Sequence, residues 1–413
     1  MESTTDFQSF SARLREFISC SAGRDPEERL FNSLALDLFA LQQRLNEPYR
    51  RFCQARGVVP QEISHWTHIP AVPTAAFKEL DLTCLPEQGR TRVFHSSGTS
   101  NQRPSRHIHN PASLSIYEAS AWQWFQAHLI RPYPRPARLF VLTPSPQDAP
   151  HSSLAWMFGT MLREMAKAGF LISTAALARC QNATDDGKLL QQFAGPTSAD
   201  AAFFGRLDAE GNWALDAEGV INSLRQSTMQ DEPVVILGTA FLFVHLLEQL
   251  GDRRLQFNLS PGSRAMETGG YKGRSREMSK PELHGLITQT LGIPATHIIS
   301  EYGMSELSSQ AYDNVRPQDF GTTRPQDHKT TGPRLAPRVF RFPRWAQVQV
   351  TSPETGKEVR EGETGLIRVF DLANVYSVMA IQTEDLGVRR GSGFDLIGRA
   401  ALAEPRGCSL MAP

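Results

Sequence analysis

From Ile69 onward the chain alternates apolar runs of strand length with longer segments of helical period, and this alternation constrains its fold more than any other feature. The runs at 139–143, 233–237 and 297–300 are too short for helices, whereas 113–129, 153–168 and 240–250 have helical length and pattern. Strand and helix in repeated succession predict an α/β fold around a mostly parallel sheet, because parallel neighbours need a crossover long enough to hold a helix. The most apolar stretch, 233–250, is split by Gly238 and Thr239 and interrupted by His245 and Glu248. It therefore reads as a buried strand followed by a helix, not as a membrane span. At 413 residues and 40% apolar content, the chain can bury a substantial core.

Two changes of texture divide the sequence. Residues 314–337 are rich in Pro, Arg, Thr and Gly, which suits a surface connection. Beyond them, 346–351, 365–370, 377–382 and 394–397 are short strand candidates separated by turn residues such as Ser352, Pro353 and Gly356. The expected organisation is an α/β body over 1–336, a small β-rich subdomain over 337–399 and a tail over 400–413, with no room for a further domain. Near the N-terminus, Leu30, Leu34, Leu38 and Leu41 recur at helical spacing and predict an amphipathic helix.

Charge narrows the class of partner. The chain has 43 Lys plus Arg and 43 Asp plus Glu, so its formal net charge is zero and nothing draws it as a whole toward nucleic acid or an anionic membrane. A small-molecule substrate is expected. The polar first ten residues lack the basic start and apolar core of a secretory signal, which predicts a cytoplasmic location. Five scattered cysteines, Cys20, Cys53, Cys84, Cys180 and Cys408, form no close pair and read as free thiols.

Three constellations can carry chemistry. The first is Ser96, Ser97, Gly98, Thr99 and Ser100 after a strand candidate at 91–94. Hydroxyls and exposed N–H groups can surround phosphate oxygens there, and Gly98 allows close backbone approach; the plainer alternative is an ordinary turn. The second is Ser300, Glu301, Tyr302, Gly303, Met304, Ser305 and Glu306, directly after the apolar run 297–299. Tyr302 offers an aromatic face to a base and Glu306 a carboxylate to a hard Mg²⁺ ion; the alternative is a core aromatic and a first-turn acid. The third is Glu384, Asp385, Leu386 and Gly387 followed by Gly398 and Arg399. An Asp in a tight turn can accept both hydroxyls of a ribose, with Arg399 supplying charge nearby; the alternative is an ordinary Asp-Leu-Gly turn linking two strands.

In this order the three groups resemble the signature of the acyl-adenylate-forming superfamily. The resemblance implies that Ser96, Ser97, Gly98, Thr99 and Ser100 form an ATP phosphate loop, that Tyr302 with Gly303 flanks adenine, that Glu306 binds Mg²⁺ and that Asp385 holds the ribose. Asn101 stands where that superfamily usually has Gly, and Ala400 follows Arg399 where an Asp is usual. A narrower likeness lies in Gly269, Gly270, Tyr271, Lys272, Gly273 and Arg274 and in the ending Arg406, Gly407, Cys408, Ser409 and Leu410. These are similar to the acyl-protein synthetase family, the fatty-acid-activating component of bacterial luminescence reductase complexes. That likeness implies a cofactor role for Gly269 and Gly270, Cys408 as acyl acceptor, a fatty or other carboxylic acid as substrate, and an acyl reductase or other acceptor protein as partner. Most superfamily members carry a catalytic lysine in a mobile C-terminal domain; Arg399 is the candidate cation in its place.

The expected reaction is thus ATP-dependent formation of acyl-AMP followed by acyl transfer to the Cys408 thiol. Thiols become better nucleophiles as nearby cations such as Arg406 lower their pKa. An acyl-CoA or acyl-carrier-protein ligase is the alternative enzyme, and would not need Cys408. A non-catalytic nucleotide- or acyl-binding protein is the alternative of another class.

Overall fold

The computed structural model describes residues 2–20, 28–96, 103–132, 137–170, 202–269, 278–313 and 338–400. Three helices lead the chain, α1 (Glu2–Ser19), α2 (Glu28–Leu45) and α3 (Glu47–Ala55), followed by β1 (Val72–Pro73), the short α4 (Ala76–Glu79) and the hairpin β2 (Arg92–His95) to β3 (Arg106–His109). Next come α5 (Pro111–Phe125), β4 (Arg138–Val141), α6 (Ser153–Lys167), the hairpin β5 (Gly205–Leu207) to β6 (Trp213–Leu215), α7 (Ala217–Met229) and β7 (Val234–Thr239). The series α8 (Ala240–Asp252), β8 (Arg264–Thr268), α9 (Lys280–Leu291), β9 (Ile298–Tyr302) and β10 (Ala311–Tyr312) completes the body. Strands β11 (Ala346–Thr351), β12 (Thr364–Asp371), β13 (Ala380–Arg390) and β14 (Gly393–Arg399) follow.

The expected α/β class is what the chain adopts. One sheet runs β10-β9-β8-β7-β4, parallel except for the antiparallel edge strand β10. All six residues of β7 are buried, as a strand covered on both faces requires. The predicted strand-then-helix break falls where Thr239 ends β7 and its side chain accepts from Leu242 N, satisfying one of the free N–H groups of α8. Helix α9 starts on a capping box between Ser279 and Glu282 and stops at Gly292, whose left-handed φ of 71° suits glycine. Helix α5 is shorter than the periodicity of 113–129 predicts, because it passes into a wider turn at Gln126–Ile130.

The second sheet is antiparallel through β11, β12, β13 and β14 and recruits β1 in parallel alongside β13. One expectation fails here. Asp385 does not sit in a tight turn, because β13 runs unbroken from Ala380 to Arg390 and the turn comes only at Gly391, where φ is 56°. Alternation in the sequence is interrupted by a register shift between Leu386 and Gly387, which hides the strand's continuity.

Helix α2 joins the two halves. Its apolar stripe is Phe31, Leu34, Ala35, Leu38 and Phe39, so Leu34 and Leu38 face inward as predicted while Leu30 is exposed. On the same stripe the fully buried Gln42 donates from Nε2 to Asn374 O at 2.7 Å and Val375 O at 3.1 Å, and accepts from Met379 N at 2.9 Å. Those three bonds satisfy a segment that has no ladder of its own between β12 and β13. Among the described residues, no helix is long and apolar enough to cross a membrane.

Candidate active site

A cavity of about 280 Å³ opens where the carboxyl ends of β8 and β9 meet the second sheet. The outside of the carboxyl ends of parallel strands is where open α/β sheets bind ligands, since each strand must hand over to a loop there. Of the residues singled out in the sequence, Ser96, Gly269, Tyr302, Gly303, Glu306, Asp385 and Arg399 all line this one cavity, although they span more than 300 positions of chain. Ser97, Gly98, Thr99, Ser100, Gly270 and Cys408 lie outside the described residues.

Tyr302 ends β9 among the rings of Phe394, Phe340 and Phe342, all edge-on, with centroids 5.1, 6.1 and 6.3 Å away. Its hydroxyl donates to Asp385 Oδ2 at 2.9 Å, and Arg399 Nε lies 3.6 Å from Asp385 Oδ1. Asp385 and Arg399 are directly paired across β13 and β14, which places their side chains on one face. Burial, with Asp385 beside it, holds the Tyr302 hydroxyl well above its ordinary pKa, so it remains a donor.

On the opposite wall, the hairpin β2–β3 is fastened to the turn after β9. His107 Nδ1 donates to Ser305 O at 2.8 Å, and Ser305 Oγ donates to His95 O at 3.0 Å. Burial pushes the His107 imidazole down to about 4, so the fastening is made by a neutral ring. Ser96, at the root of the predicted phosphate loop, accepts from Ser105 N at 3.0 Å and closes that root. Asp371, at the end of β12, accepts from Ser308 N, Ser309 N, Ser309 Oγ and Ala373 N at 2.7 to 2.9 Å. The turn carrying the buried Glu306 is thus held from both sheets, with Asn374 Nδ2 donating to Glu306 O at 2.9 Å.

Two charged residues that line the cavity, Lys280 and Glu301, carry no role assigned from the sequence. Lys280 opens α9 with its ammonium 4.2 Å from the centre of the Phe340 ring. A cation in a first helical turn works against the macrodipole, and that was the one signal for it. Glu301 is 7% exposed and accepts from Thr268 Oγ1. Burial, with the Glu267 carboxylate nearby, pushes its carboxyl up to about 7. Glu267, on the neighbouring strand, accepts from Ser300 Oγ, and His284 Nε2 lies 3.4 Å away. Burial alone would raise Glu267, but His284, Lys280 and Ser300 together take it below its ordinary range.

The sequence profile of the family described as "Acyl-protein synthetase, LuxE" matches residues 201–412. The chain belongs to the acyl-protein synthetase family. That match covers β5 through β14 and the segment carrying Cys408. No curated protein sequence matches the chain. Among solved structures, an open conformation of 2-hydroxyisobutyryl-CoA ligase in complex with 2-HIB-AMP and CoA is similar at a TM-score of 0.55 and 15% identity, over 91% of this chain and 76% of that one. The same ligase in the postadenylation state gives a TM-score of 0.53 at 15% identity, over 89% and 67%. At such identity the likeness is one of fold: this member of the acyl-protein synthetase family is built on the fold of an acyl-adenylate-forming ligase.

A magnesium ion would fit here. Among the described residues no group of three or more His, Cys, Asp or Glu is placed to hold a metal. Mg²⁺ at a nucleotide site is held by one or two carboxylates plus phosphate oxygens and water, so the buried Glu306 carboxylate would be enough on the protein's side.

Proposed function

We propose that the chain activates a carboxylic acid, of the fatty class that the family resemblance implies, at the expense of ATP and then carries the acyl group on Cys408. The observation that supports this reading is the convergence of Tyr302, Asp385, Arg399, Glu306 and Ser96 on one cavity. Tyr302 flanks the adenine, Asp385 accepts the ribose hydroxyls, and the loop rooted at Ser96 surrounds the phosphates. Glu306 holds Mg²⁺, which supplies charge neutralisation along the triphosphate. A carboxylate oxygen of the acid bonds to the α-phosphorus and the α–β phosphoanhydride breaks, releasing pyrophosphate. The Cys408 thiolate then attacks the acyl carbon, and AMP leaves with the electron pair of the broken C–O bond.

Among the described cysteines none competes well as acceptor. Burial pushes Cys53 up to about 11, against the opposing effects of Tyr49 and Arg56, and burial pushes Cys84 higher still. Cys20 is exposed at the end of α1, and none of the three lines the cavity. Cytoplasmic residence and a reductase or other acyl-accepting protein complete the reading.

Delivery to coenzyme A is the second reading, favoured by the CoA present in the similar ligase structure. The test is incorporation of radiolabelled fatty acid into purified protein with ATP and Mg²⁺, comparing wild type with Cys408→Ser and following release by hydroxylamine. Label held by wild type, released by hydroxylamine and lost in Cys408→Ser is the expected result. Pyrophosphate release with no protein label, and label appearing on added CoA, would replace the cysteine acceptor with the soluble thiol.

A further inference from the structure

Strand β9 presents different chemistry on its two faces. Tyr302 faces Phe340, Phe342, Phe394 and Asp385, the side that the adenylation reading gives to the nucleotide. Glu301 is paired with Thr268 on β8 and with Tyr312 on β10, and residues directly paired across strands share a face. Tyr312 lies nearly parallel to Trp124 of α5, 6.3 Å between centroids and 15° between planes. Glu301 therefore projects toward α5, away from the nucleotide side, yet it lines the same cavity.

A carboxylate accepts up to about four hydrogen bonds. Among the described residues Glu301 has one hydrogen-bond partner, Thr268 Oγ1, and it is taken up by Oε2. The other oxygen, Oε1, lies where a side chain on Gly303 would be, so the absence of a Cβ at 303 is what makes room for it. On the same face Tyr312 Oη and Trp124 Nε1 are buried with no hydrogen-bond partner among the described residues. A plain alkyl chain laid against this wall would strip water from Glu301 and give no hydrogen bond in return.

We propose that the acid activated by this chain carries a hydrogen-bond donor, a hydroxyl or an amine, along its acyl chain, and that Glu301 receives it. The inference rests on the adenylation reading and specifies its substrate class. A carboxyl held at about 7 suits both donors, accepting from a hydroxyl in either state and ionising beside an ammonium. Sites built to bond a polar group on the substrate reject analogues that lack it far more strongly than apolar pockets reject an extra methylene.

The experiment is acid-dependent ATP–pyrophosphate exchange by the full chain, with hexanoate, decanoate and tetradecanoate set against their hydroxy- and amino-substituted counterparts. Wild type is expected to prefer substituted acids by at least about tenfold in kcat/KM for the acid. Glu301→Leu should reverse that ranking, and the isosteric Glu301→Gln should keep hydroxy acids while losing amino acids. Thermal melting of both variants separates a changed preference from a lost fold, and Glu301→Gln carries the test if Glu301→Leu does not fold. Preference of wild type for unsubstituted acids, or a ranking that neither variant alters, overturns the proposal and leaves adenylation standing. Exchange with none of the acids overturns the adenylation reading, and the proposal with it.

Discussion

Two buried glutamates on neighbouring strands, Glu267 on β8 and Glu301 on β9, stand in opposite circumstances. Glu267 belongs to a chain of partners. Ser300 and His284 meet it, His284 Nδ1 lies 2.7 Å from Arg338 Nη1, Arg338 Nε lies 3.6 Å from Asp313 Oδ2, and Asp313 Oδ1 accepts from Ser300 N at 2.7 Å. Glu301, 7% exposed against 2% for Glu267, has Thr268 as its one hydrogen-bond partner among the described residues. The surroundings accordingly lower one carboxyl and raise the other. A buried charge enclosed by partners fastens a fold, whereas one left short of partners at a cavity wall is maintained at a cost to stability. Costs of that kind concentrate at sites of function.

Removing each carboxyl should therefore move stability in opposite directions. Glu267→Ala deletes the acceptor at the centre of the network and leaves Ser300 Oγ and His284 Nε2 buried without their partner, with Arg338 still facing Asp313. A loss of about 3–5 kcal/mol is expected in denaturant unfolding at neutral pH. Because its carboxyl is lowered in the fold, its contribution is present at neutral pH and fades as acid protonates it. A loss under 1 kcal/mol would mean that the network fastens nothing.

Glu301→Gln should do the reverse. The carboxyl sits at about 7 in the folded chain against an ordinary 4.5, so proton uptake favours the fold. Its contribution is full below pH 4.5 and is lost as pH rises through 7. Above pH 7 the variant, which cannot ionise, should exceed wild type by up to about 3 kcal/mol, the gap closing toward pH 5. Melting both proteins at pH 5 and pH 8 reads this directly. A variant less stable than wild type at pH 8 would show that the ionised carboxylate has partners after all.

Much of this was legible in the sequence, for definite reasons. The run at 233–237 predicted β7 because a strand covered on both faces must be apolar throughout, and Gly238 with Thr239 marked the cap of α8. Tyr302, Glu306, Asp385 and Arg399 were recognisable because their residue types recur in a fixed order, although Asp385 was expected in a turn and lies within β13. Glu301 stood inside a recognised motif and still gave no sign of its role. Its state depends on Thr268, Glu267 and the space at Gly303, which the fold brings together and local periodicity does not record.

Lys280 provides the smallest test and the one that separates a counter-charge from a ligand-binding cation. It occupies the first turn of α9, where a positive charge costs about 0.3–1 kcal/mol against the helix dipole. Its ammonium rests over Phe340 and, among the described residues, makes no hydrogen bond or ion pair. It does lower both Glu267 and Glu301 through space, which makes neutralising them its alternative role. Arg399, by contrast, is already engaged with Asp385. If Lys280 meets a phosphate or carboxylate of the reactants, Lys280→Met should lower kcat/KM for ATP in pyrophosphate exchange about tenfold, leave the melting temperature nearly unchanged, and be largely rescued by Lys280→Arg. If it serves the glutamates instead, the methionine variant should melt lower at pH 8 than at pH 5 relative to wild type and exchange pyrophosphate at the same rate. The cavity's positive charge toward the reactants would then fall to Arg399, which would have to be shared with Asp385.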